Sequence, residues 1–190
     1  MTARVKQQVN ELVSQGRWDE AFDVLSSYVA KQPEDPDALF QLGSFCYSAG
    51  RFADAEKSLK AALTIGNKSE ARYLLGLTLL KLARPVEAVG EFRESCELKE
   101  GFALGHLHWG LALAGMASWR GALGQFKQAA RLNPQLVVAY YQGGVAAYKL
   151  GQFDEAGEAL KPAVELDRTF CDAWIALAMT QTAVEQIDRA

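Results

Sequence analysis

An alanine recurs at Ala21, Ala55, Ala88, Ala122 and Ala156, in steps of 34, 33, 34 and 34 residues. A glycine series runs in phase with it, at Gly43, Gly76, Gly110 and Gly144, in steps of 33, 34 and 34. The short step falls at the same place in both, so one loop, around Gly66-Asn67, lacks a residue. Two series held in register over this period mark a chain built from repeated supersecondary units.

The small residues have a physical reason. A mid-helix glycine costs about 1 kcal/mol relative to alanine. Close approach of two helix backbones offsets that cost. The alanine series then marks the matching contact on the second helix of each repeat. Within residues 36–68, apolar positions fall at Leu39, Leu42 and Cys46, then at Phe52, Ala55, Leu59, Ala62 and Leu63, which is helical spacing. Gly50 separates the two helices at a left-handed C-cap. Trp18, Phe52, Trp119 and Phe153 follow the turn, and Pro85 stands there in the third repeat, as suits a first helical turn. Leu25, Leu59, Phe92, Phe126 and Leu160 lie deeper in the second helices, and Pro33 and Pro134 close two repeats.

On these residues the chain resembles the tetratricopeptide repeat family. The segments LFQLGSFCYSAGRFADAEKSLKAAL and AYYQGGVAAYKLGQFDEAGEALKPAVELD carry the family's pattern of small, aromatic and apolar positions. The resemblance implies an all-α, right-handed α-solenoid in a single domain over 1–190. Its helix-turn-helix repeats fall at 2–35, 36–68, 69–102, 103–136 and 137–170, with a capping helix over 171–190. Eleven helices and no sheet are expected. The first repeat departs from the pattern, with Gln8-Val9 in place of Leu-Gly, as expected of a terminal repeat without a preceding neighbour to approach. Ala83 and Ala117 replace the turn glycine in the third and fourth repeats.

Composition narrows the function classes. At 49% apolar content the chain can bury a large, elongated core. A net charge of −3 argues against nucleic acid, which calls for a basic stripe. No apolar run reaches the length of a membrane span, and MTARVKQQVNELV reads as a polar amphipathic helix and not as a secretory signal. The expected setting is therefore the cytoplasm. Cys46, Cys96 and Cys171 are far apart and form no C-x-x-C pair, so they read as reduced structural thiols. His106 and His108 stand about 200° apart on a helix and cannot share a metal. His106 reads as a packed imidazole. No phosphate loop, metal cluster or nucleophile–base set appears, so no enzyme, cofactor or metal is expected.

The resemblance places ligands on the concave side, lined by repeat positions 2, 5, 9, 12 and 13. Position 5 reads Lys6, Phe40, Tyr73, Leu107, Tyr141 and Ile175; position 12 reads Val13, Tyr47, Leu80, Ala114, Tyr148 and Thr182. At position 9, Leu77, Leu111 and Val145 are read as ordinary helix packing. Tyrosine suits a site with one apolar and one wet end. The expected partner-binding residues are therefore Phe40, Tyr47, Tyr73, Leu107, Tyr141, Tyr148 and Ile175. The expected partner is a peptide or helix with apolar anchors; the alternative is a scaffold subunit that self-associates through the same face. Some family members clamp acidic chaperone tails through five polar positions. Here these read Lys6, Asn10, Gln41, Glu70 and Leu74, so both later cations are missing and such a ligand is not expected.

Overall fold

The computed structural model describes residues 1–188. Eleven helices and no strand occur among the described residues. They are α1 Ala3–Ser14, α2 Trp18–Lys31, α3 Pro36–Ser48, α4 Phe52–Ile65, α5 Ser69–Lys81, α6 Pro85–Leu98, α7 Ala103–Gly115, α8 Trp119–Leu132, α9 Val137–Lys149, α10 Phe153–Leu166 and α11 Cys171–Asp188. The helices gather into two compact units. The first, Met1–Leu98, holds α1–α6; the second, from Lys99 onward, holds α7–α11.

Each repeat is a helix pair, and its turn is built the same way five times. The backbone N–H groups of Arg17, Arg51, Arg84, Ser118 and Gln152 donate to the carbonyls of Leu12, Cys46, Leu79, Leu113 and Ala147 at 2.8–3.0 Å. The residue before each donor bonds the carbonyl three back, as Gly50 does to Tyr47 at 3.1 Å and Ala117 to Ala114 at 2.9 Å. These paired bonds are a Schellman C-cap, which requires a left-handed residue. Gly16, Gly50 and Gly151 take it with φ of 73–74°, and Ala83 and Ala117 are held in it at 58° and 56°. The next residue opens the second helix. In the first three repeats it is an arginine paired with an acid three positions on: Arg17–Glu20, Arg51–Asp54 and Arg84–Glu87.

The small-residue series does its work within a repeat. A Cβ on Gly76 would stand 2.7 Å from the Phe92 ring, and one on Gly110 would stand 2.6 Å from the Phe126 ring. On Gly43 it would meet Leu59 at 2.6 Å. The glycine therefore faces chiefly the large side chain four residues beyond the alanine, not the alanine side chain itself. The alanine backbone lies nearby: the Ala55 carbonyl would be 3.4 Å from a Gly43 Cβ. The alanines are fully buried. This corrects the reason given for Val9. The glycine position packs against the repeat's own second helix, so the lack of a preceding neighbour does not explain it. Val9 and Leu25 are both buried in the α1/α2 pair and line a cavity of about 310 Å³.

The missing residue lies in the α4–α5 link, which has three residues (66–68) where the α2–α3, α8–α9 and α10–α11 links have four. One buried polar pair departs from the apolar pattern. Ser69 Oγ donates to the Ser95 carbonyl at 3.0 Å, and Ser95 Oγ returns a bond to the Ser69 carbonyl at 2.9 Å, tying α5 to α6. Both groups are thereby satisfied out of water.

Candidate functional site

Three of the seven expected binding residues meet in the second unit. Tyr141 and Tyr148 on α9 and Ile175 on α11 line one pocket of about 230 Å³, with Val145 and Met179 beside them. Gly144 and Leu160 belong to the same wall, so the close glycine contact that joins α9 to α10 also forms part of the pocket. Each tyrosine ring is steadied by another: Tyr141 lies tilted 4.9 Å from the Phe170 ring, and Tyr148 lies edge-on 5.2 Å from that of Phe153. Ile175 and Met179 are 58% and 51% exposed, because α11 turns Ala173, Leu177 and Thr180 inward and leaves its other side open. Lys149 and Asp172 supply the pocket's charges, one of each sign. They occupy positions 13 and 2 of the repeat, which the family pattern also points inward.

Leu107 behaves differently. It is 6% exposed and belongs to the core around Ala122, Phe126 and Ala146, against which Tyr148 packs. It offers little surface. In the first unit Phe40, Tyr47 and Tyr73 are half-buried. Tyr47 lies 5.7 Å from the Phe52 ring and Tyr73 lies 5.9 Å from that of Phe92. Burial, and then the neighbouring Tyr47, raise the Tyr73 phenol above its ordinary range. The first unit's α1/α2/α3 cavity is more polar. Lys6, Asn10 and Gln41 line it over a floor of Trp18, Leu25 and Phe45. The first three clamp positions thus meet there, while Glu70 and Leu74 are not among its lining residues.

His106 is half-buried, with Nδ1 2.8 Å from Gln125 Oε1 and its ring stacked 6.0 Å from that of Trp109. His108 Nδ1 lies 2.9 Å from the Leu104 carbonyl. Cys46 is buried, Cys96 half-buried and Cys171 exposed, all as free thiols. No cluster of three or more His, Cys, Asp or Glu suited to a metal occurs among the described residues. None of the described helices is long and apolar enough to cross a membrane.

Tandem helix pairs with glycine at the pair contact define a helical-repeat protein. Sequence profiles described as tetratricopeptide repeat match residues 12–80 and 107–169, and the chain belongs to the tetratricopeptide repeat family. No curated protein sequence matches it significantly. Solved structures share the fold. MamA is 23% identical over 84% of this chain and 94% of its own, with a TM-score of 0.80. YrrB, described as a TPR protein with an unusual peptide-binding site, is 22% identical over 93% and 91%, with a TM-score of 0.79. PilW, described as a type IV pilus biogenesis factor, is 16% identical over 97% and 88%, with a TM-score of 0.76.

Proposed function

We propose that this chain is a non-enzymatic protein-interaction module that holds a peptide or helix by apolar anchors, as an adaptor or assembly factor. The carrying observation is the α9/α10/α11 pocket, where Tyr141, Tyr148, Ile175 and Met179 converge. An aromatic and aliphatic lining favours an apolar side chain, and phenol groups add directional bonds at its rim. The Lys149/Asp172 pair balances the local charge, which fits a peptide better than a polyanion. Phe40, Tyr47 and Tyr73 are proposed as a further contact surface on the first unit. YrrB's described peptide-binding site agrees with a peptide ligand for this repeat class.

Selection of peptides on the immobilised protein, followed by titration of the selected sequence, tests the reading. Ile175→Asp with Met179→Asp changes exposed side chains, so helicity is expected to persist while affinity falls at least tenfold. Undiminished affinity in a folded double variant would place the ligand elsewhere. Scaffolding through self-association is the second reading, favoured by the exposed apolar residues Trp174, Ile175 and Met179 on α11. Concentration-dependent growth in light scattering, abolished by the same double variant, is the outcome that selects it.

A further inference from the structure

A second cavity lies in the same unit, between α8, α9 and α10, and has a different origin. At the seventh repeat position α3, α5 and α7 carry Leu42, Leu75 and Trp109, whereas α9 carries Gly143. A Cβ on Gly143 would meet only Phe126, at an ordinary 3.6 Å, so nothing near its own backbone requires glycine there. Where the second, third and fourth repeats place a large apolar side chain, and the first has exposed Gln8, this one has a cavity of about 640 Å³ walled by Phe126, Ala130, Ala139, Tyr140 and Pro162.

The mouth is charged, and its charges are unevenly matched. Lys127 pairs with Glu155, and Lys161 pairs with Glu158 at 2.6 Å. Arg131 lines the cavity from the last turn of α8, is exposed, and makes no ion pair among the described residues. Pro162 adds a backbone feature. It stands inside α10 and has no N–H to give the Glu158 carbonyl one turn back, so that acceptor lacks its usual α-helical donor. Both residues line the cavity. The site therefore combines an apolar hole and a cation.

We infer that this cavity is a second peptide site, taking one leucine- or tryptophan-sized side chain from another protein whose carboxylate, within a residue of that side chain, reaches Arg131. The anchor replaces in trans the side chain that Gly143 omits. This site is distinct from the α9/α10/α11 pocket, and neither depends on the other.

N-acetyl-L-tryptophan and its carboxamide are the probes, each titrated into isotope-labelled full-length protein and followed by amide NMR shifts. Saturable shifts confined to α8, α9 and α10 are expected, with the acid bound about fivefold tighter than the amide, as an exposed ion pair gives. Arg131→Gln should remove that preference and leave the amide's affinity unchanged. Gly143→Leu should abolish both titrations and melt no lower than the parent, because it fills empty space; Gly143→Ala should still bind. No saturable shift at millimolar probe, shifts confined to α11, binding that survives Gly143→Leu, or a lower melting temperature for that variant would each overturn the inference. An acid preference that survives Arg131→Gln would overturn the role of the arginine.

Discussion

At the scale of single residues, the turns show where backbone geometry overrides side-chain preference. Ala83 and Ala117 sit in the left-handed region because two C-cap bonds hold them there, at about 1–2 kcal/mol each relative to an unstrained alanine. Glycine would relieve that strain but enlarge the unfolded ensemble. Ala83→Gly and Ala117→Gly should each stabilise by about 0.5–1 kcal/mol net, read as a higher denaturation midpoint with unchanged slope. The thiols separate by burial. Burial is the main cause that pushes Cys46 and Cys96 up to about 11, leaving little thiolate at neutral pH. Ellman's reagent should label Cys171 fast in native protein at pH 8, and the other two only slowly or after denaturation. The sign of the linkage follows. The fold disfavours both thiolates, so their contribution to stability is complete below the ordinary thiol value of 9.0 and is lost as pH rises toward about 11.

At the scale of helices, the pair contact is the unit of construction, and glycines in one helix type test it against those in the other. Gly110 in α7 has the Phe126 ring where a Cβ would go, while Gly124 in α8 has nothing within 4 Å. Gly124→Ala should stabilise by about 1 kcal/mol through helix propensity. Gly110→Ala should destabilise by about 1–2 kcal/mol, because overpacking against a buried ring outweighs the same gain. Thermal melts of the two single variants check the opposite signs. The helices were legible because period, turn and cap agree on their boundaries. The phase of the missing residue was legible too, and the α4–α5 link confirms it. The partner of each glycine was not. Alanine and the larger residue four positions on share a helix face, and only side-chain reach tells which of them fills the space opposite.

At the scale of the whole chain, the first compact unit holds three complete repeats, α1 to α6. Three is about the number a repeat array needs to bury a continuous core. A fragment of residues 1–98 should therefore fold alone, with helical circular dichroism and a cooperative melt; a non-cooperative melt would show that it depends on the remainder. The binding surface was only partly readable at this scale. Position 5 holds buried Leu107 and exposed Ile175 in one series, since burial depends on neighbouring helices and not on the residue's own place in the period. Lys149 and Asp172 were within reach of the pattern, but isolated charges carry no periodic signal. The loss of one residue between α4 and α5 bears on how such arrays diverge. The helices flanking the link pack on each other across three residues as their counterparts do across four, so the connector tolerates one residue fewer. The folded chain keeps time by its helices and not by a fixed spacing.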